Sequence, residues 1–117
     1  MTKRGFAHIE IPAKDRDAAA KFYHTLFGWE CQHMGEPSPY TTFQTGNVGG
    51  GFPDVSDDNP IGSVIVYIES TDLEADGSLI EQHGGKLLSP AFQVGEYGWM
   101  RYFEDPSGNK LALWKNA

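Results

Sequence analysis

The sequence predicts an α+β fold in which a strand–helix–three-strand module, βαβββ, occurs twice. Three observations carry that prediction. Phe6-Ala7-His8-Ile9-Glu10-Ile11-Pro12 alternates like a half-buried strand, with Ile9 and Ile11 on one face and Phe6, His8 and Glu10 on the other. The arrangement repeats: a shift of 57 lays His8 on Ile65, Asp15 on Asp72 and Gly28 on Gly85. A shift of 62 lays Tyr40 on Tyr102, Gly46-Asn47 on Gly108-Asn109 and Gly50 on Ala112. Neither half is large enough to bury both faces of its own sheet, so pairing the two is the natural solution. The 117 residues therefore read as a single domain, with module one at about 5–52, a linker at 53–62 and module two at 63–115.

Each element has a local reason. Asp15-Arg16-Asp17 supplies a helix start whose acidic residues complement the positive end of the helix dipole. From Ala18 to Phe27, the residues Ala19, Phe22, Tyr23, Leu26 and Phe27 recur at three-to-four spacing, and Gly28 suits the C-terminal cap. Trp29 to Met34 reads as a second strand, Gly35 to Pro39 as a loop, and Tyr40 to Thr45 as a third strand. Val48 to Phe52 is a glycine-loaded fourth strand. Polar Pro53 to Gly62 reads as the linker.

Module two opens with Ser63 to Glu69. Thr71-Asp72-Leu73-Glu74 has the pattern of a capping box, in which threonine and glutamate satisfy two orphan backbone donors. The helix then runs to about His83, with Gly77 costing about 1 kcal/mol of propensity against alanine. Lys86 to Leu88 is a short strand, Pro90 to Gly98 a loop and Trp99 to Phe103 another strand. Asp105-Pro106-Ser107-Gly108-Asn109 is a tight turn, and Lys110 to Trp114 the last strand.

Composition narrows the function. A net charge of −7 with no cluster of Lys or Arg argues against nucleic acid, whose phosphates need a basic face. No apolar run is long enough to span a membrane. The basic N-terminus leads into a strand rather than an apolar signal region, so a cytoplasmic location is expected. Cys31 is the only cysteine, which excludes an internal disulfide and a thiolate cluster, and it reads as a small buried hydrophobe.

Period-two bookkeeping sorts the faces. Ile9, Ile11, Val64, Val66, Ile68, Leu111 and Leu113 point toward the helices. Phe6, His8, Glu10, Ser63, Ile65, Tyr67, Lys110, Ala112 and Trp114 point away. That second set mixes aromatic, polar and small residues, as a concave sheet lining a cleft would.

Taken together, AAAKFYHTLFGW (Ala18 to Trp29), the Gly49-Gly50-Gly51-Phe52 strand and EDPSGNKLALW (Glu104 to Trp114) resemble the vicinal oxygen chelate superfamily. That group includes glyoxalase I, bleomycin-resistance proteins and extradiol dioxygenases. The resemblance runs from Phe6 to Trp114 and is strongest to short lactoylglutathione lyase-like proteins. It implies a curved mixed sheet around a cleft, a homodimer and a small-molecule ligand. It also implies a divalent metal held by side chains from the first and last strand of each module, acting as a Lewis acid. Carried onto this chain, those positions are His8, Gly50, Ile65 and Ala112, and three of the four cannot coordinate. Glu10 shares the His8 face but lies about 6.7 Å along the strand. His24 and His83 fall on helices and His33 on an outer strand, so none compensates. No metal cofactor is therefore expected.

His8 reads either as a partly buried hydrogen-bonded histidine or as a ligand-contacting, acid–base residue oriented by Glu10. Tyr67 and Trp114 are the aromatics expected to line the site, with Phe43, Trp99 and Arg101 as further candidates. Trp99 and Arg101 share a face, but the sequence leaves open which one. Gly49-Gly50-Gly51 is not a phosphate loop, since no Lys-Ser/Thr follows and no helix opens there. The expectation is a metal-independent small-molecule binder. The alternative is a lyase or isomerase using His8 and Glu10 or an unconventional metal site.

Overall fold

The computed structural model describes residues 3–36 and 39–117. Met1-Thr2, ahead of the basic Lys3-Arg4, and the centre of the expected loop, Pro37-Ser38, lie outside the described residues. The elements run β1 (Phe6–Glu10), α1 (Arg16–Phe27), β2 (Glu30–Met34), β3 (Tyr40–Gln44) and β4 (Gly49–Gly51). They continue with β5 (Ile65–Glu69), α2 (Leu73–Gln82), β6 (Lys86–Leu87), β7 (Phe92–Val94), β8 (Gly98–Glu104) and β9 (Lys110–Asn116). The chain forms two compact units, one spanning His8–Ile65 and the other joining the residues up to Ala7 with Val66–Ala117.

In the first unit the strands lie in the order β2-β3-β4-β1. β1 runs parallel to β4, with Ile9 opposite Gly50 and Glu10 opposite Gly51, while β3 is antiparallel to both β2 and β4. Asp15 caps α1 by accepting from the Ala18 N–H at 3.0 Å. Gly28 ends it in the left-handed region at φ 73°, a conformation glycine adopts without a Cβ clash. The core gathers Ala13, Ala20, Phe43 and Phe52, packed by Ile9, Ile11, Ala19, Tyr23, Trp29 and Cys31. Within it Tyr23 stacks on Trp29 at 4.7 Å and Trp29 on Phe43 at 4.5 Å. Each such pair adds about 0.5–1.5 kcal/mol beyond its buried area.

Two expectations change here. The helix forms where the spacing places it, but it buries a different face: Phe22, Leu26 and Phe27 are exposed, because α1 turns Ala19, Ala20 and Tyr23 to the sheet. The 62-residue shift also mispairs β4. Gly50 lies beside Ile9 and Phe43, on the helix side, and it is Gly51 that sits opposite Glu10.

The second unit follows the same plan, β5-β9-β8-β6, with β5 parallel to β9 and Tyr67 opposite Ala112. Its core is Leu73, Phe103 and Leu113, packed by Ile68, Ile80, Leu87, Ala91 and Leu111. Val64 falls outside β5 and is exposed. The Pro90–Gly98 loop contains β7, which pairs with β8. Asp72, not Thr71, caps α2, accepting from the Ala75 N–H at 3.0 Å, and Glu74 turns instead toward Arg101. The turn before β9 is as expected: Asp105 accepts from the Asn109 side chain and from the Asn109 and Ser107 N–H groups, which together hold its carboxyl below the usual range.

A buried polar knot ties α2 to the start of the chain. Asp76 is 7% exposed and accepts from Arg4 and from Ser70 Oγ. Ser70 Oγ in turn accepts from the Asp72 N–H, and Gly5 O accepts from the Glu69 N–H. Among the described residues no helix is long and apolar enough to cross a membrane.

Candidate functional site

His8 and Glu10 are two residues apart on β1, so the pleat turns both side chains to the face opposite the helix. Their backbone separation is closed by the side chains: His8 Nε2 lies 3.3 Å from Glu10 Oε2. A third group joins them. The Tyr40 hydroxyl, from the first residue of β3, donates to Glu10 Oε2 and lies 3.4 Å from His8 Nε2. The cluster stays in reach of solvent, with the His8 side chain 30% and the Glu10 side chain 17% exposed.

Tyr40 reaches this place because β4 offers no side chain to block it. A methyl group added at Gly51 would overlap the Tyr40 phenol, and one at Gly49 would press on the Gln44 amide. Sequence reasoning missed Tyr40. The signal was present, since an aromatic residue two strands from His8 and beside a run of glycines is placed to lie over them.

Other expected site residues separate into different environments. Tyr67 and Trp114 do come together, with ring centroids 6.4 Å apart, on the face of the second unit that turns away from α2. Phe43 is 1% exposed inside the first unit's aromatic core, so it lines no binding surface. Trp99 and Arg101 face α2: Arg101 Nε donates to Ser89 O at 2.9 Å, and its Nη1 lies 3.3 Å from Glu74 Oε2. With both ends engaged, Arg101 is a structural brace on the opposite face from Tyr67 and Trp114. Trp99 borders a shallow hollow of about 280 Å³ at the start of α2.

The remaining histidines serve local structure. His24 Nδ1 meets Trp29 O at 2.8 Å, His33 Nδ1 meets Thr41 Oγ1 at 2.7 Å, and His83 is the cap residue of α2. Cys31 packs against the first core, and burial, with the charge of Glu30, pushes its thiol above the ordinary value. A raised thiol is a poor nucleophile at neutral pH.

The donor set does not suit the superfamily metal. A catalytic divalent ion takes about three protein ligands. His8 and Glu10 offer two, while Gly51, Ile65 and Ala112 offer none. Among the described residues no group of three His, Cys, Asp or Glu side chains is placed to hold an ion.

Two βαβββ units, each with its first and last strands parallel, and a His-bearing first strand define a member of one broad enzyme and binding-protein class. Residues 5–113 match the model of the Glyoxalase/Bleomycin resistance protein/Dioxygenase superfamily, and the chain belongs to that family. A glyoxylase-like domain-containing protein of Didymella fabae is 34% identical over 113 residues, covering 90% of this chain and 88% of that one. A putative glyoxylase, CFP32, of Mycobacterium bovis is 27% identical over 92% of this chain, which spans only 44% of its length. Methylmalonyl-CoA epimerase from Mycobacterium tuberculosis shares the fold at a TM-score of 0.74 and 16% identity, covering 97% of this chain and 88% of that one.

Proposed function

We propose that this protein binds a small molecule at His8 and Glu10 without the divalent metal of its superfamily. One observation carries the reading: of the family's metal positions among the described residues only His8 carries a donor, its neighbour Glu10 adds a second, and both are already joined to Tyr40. The pair is polar and open to solvent, as a contact surface for a ligand must be. A chain carrying −7 accepts neutral or cationic ligands more readily than anionic ones. We take the working form to be a homodimer, and light scattering at twice the chain mass tests that.

The direct test is thermal. Nickel, zinc or manganese added to chelator-treated protein is expected to leave the melting temperature unchanged. A stoichiometric metal or a marked stabilisation overturns the metal-independent reading. For any ligand found by screening, His8→Ala is expected to lower affinity at least about tenfold, the loss of one charge-assisted hydrogen bond, with little change in melting temperature. Affinity that survives the substitution sinks the reading.

A second reading is favoured by the 3.3 Å approach of His8 and Glu10, which suits a general base paired with a carboxylate. In that case the protein is a lyase or isomerase that moves a proton beside a carbonyl. Methylmalonyl-CoA, the ligand bound to one epimerase that shares this fold, is the first probe. Deuterium entering the substrate from D2O supports this reading, and none entering removes it for that substrate.

A further inference from the structure

We propose that Tyr40 and Gly51 act together as a metal-excluding device in the His8–Glu10 site, a deepening that rests on the metal-independent reading above. The fourth strand's position opposite Glu10 is where a further donor would have to project, and here it is Gly51. The vacated space is not left open. Tyr40 lies across it so closely that even a methyl group at Gly51 would overlap the phenol ring and hydroxyl. The same hydroxyl donates to Glu10 Oε2, taking one acceptor position of that oxygen, and its oxygen lies 3.4 Å from His8 Nε2, so the phenol crowds the space between the two side chains where a cation would sit. A neutral phenol competes poorly as a metal ligand, since it must first lose a proton of pKa about 10. Glycine removes the donor and tyrosine fills the gap, so each half of the device explains the other. The ligand that remains compatible is one that hydrogen-bonds to a Tyr–Glu–His cluster rather than one that chelates an ion.

The experiment restores the missing donor with and without the plug. Wild type, Tyr40→Ala, Gly51→Glu and Tyr40→Ala/Gly51→Glu are titrated with nickel or zinc alone by calorimetry. The double variant, with a carboxylate added to His8 and Glu10, is expected to bind at least about tenfold more tightly than either single variant, three ligands being the usual minimum. Adding His8→Ala to it should abolish the gain. If the double variant binds no better than Gly51→Glu alone, the inference falls. A thermal cycle tests the occupancy without any metal. Gly51→Ala should lower the melting temperature by roughly 5–15 °C in the presence of Tyr40, and by much less in the Tyr40→Ala background. Equal losses in both backgrounds also overturn the proposal. Wild type that itself takes up nickel sinks the metal-independent reading, a result distinct from either failure.

Discussion

The two units share a strand order yet carry opposite chemistry on corresponding faces. Both put aliphatic residues in or just after the first strand against a helix, Ile9 and Ile11 in one and Ile68 in the other. On the reverse face the first unit joins His8, Glu10 and Tyr40 by hydrogen bonds over a bare glycine strand. The second unit fills the same face with Tyr67, Ala112 and Trp114, and packs Phe92 and Lys110 around Tyr102. The helix-facing positions are held to apolar residues by the need to bury them. The reverse faces differ in burial: that of the first unit keeps His8 in reach of solvent, whereas that of the second buries Tyr67, Met100 and Ala112, and the side chains differ accordingly.

That division predicts where substitution costs most. Phe52 is fully buried in the first core and stacks on Tyr23 at 5.6 Å. Phe52→Ala should cost about 3–5 kcal/mol in urea denaturation, the usual range for deleting a buried ring. Phe103→Ala, which deletes the buried ring of the second core, should fall in the same range. A loss below about 1 kcal/mol at Phe52, no more than a surface change costs, would mean that the aromatic stack does not hold the first unit together.

The helices differ in kind as well. The 57-residue shift sets Asp76 of α2 against Ala19 of α1, and among the described residues Asp76 is the one buried carboxylate. Burial raises Asp76, but the hydrogen bonds from Arg4 and Ser70 and the charge of Arg4 outweigh it, leaving the carboxyl below its ordinary value. A carboxyl lowered by folding stabilises above its unfolded pKa, near 3.9, and the benefit is lost as pH falls through its folded value. Asp76→Asn should therefore cost about 1–3 kcal/mol at pH 7, a range for a charged hydrogen-bonded group trimmed by the partial exposure of Arg4. The deficit should shrink at pH 3. Urea curves at both pH values decide it, and a gap that stays constant would assign the stability to something other than the ionised carboxylate.

These contrasts also explain which parts of the molecule were legible in the sequence. Alternation along β1 correctly put Ile9 and Ile11 against the helix and turned His8 and Glu10 away, because burying one face leaves a period of two. The repeat correctly implied two units of one topology. Register was not legible at β4, where Gly49-Gly50-Gly51 has no side chains to mark a face; a slip of one residue pointed to Gly50 rather than Gly51. Tyr40 was hidden for the same reason, since its place depends on that register. The direction of Trp99 and Arg101 could not be read because an arginine and a tryptophan suit either face. Arg101 faces α2, where Ser89 O and Glu74 receive it.

The smallest expected effect lies at Gly77, which the same shift sets against Ala20, a buried alanine of α1. A Cβ at residue 77 would stand 2.9 Å from Arg101 Nη1 and 3.3 Å from Leu87 Cδ1. The first unit has no arginine at this place and accepts the methyl group. In the second, Gly77→Ala gains about 1 kcal/mol of helix propensity. Against that, the Arg101 tip must move off Glu74, an exposed partner worth about 0–1 kcal/mol. Leu87 must also yield by a few tenths of an ångström. The net change should lie within about 0.5 kcal/mol of zero, as for an ordinary surface substitution. In an Arg101→Ala background only the Leu87 contact remains, and the same substitution should stabilise by up to ~1 kcal/mol. If it does not, the glycine is there for some purpose other than making room for the arginine.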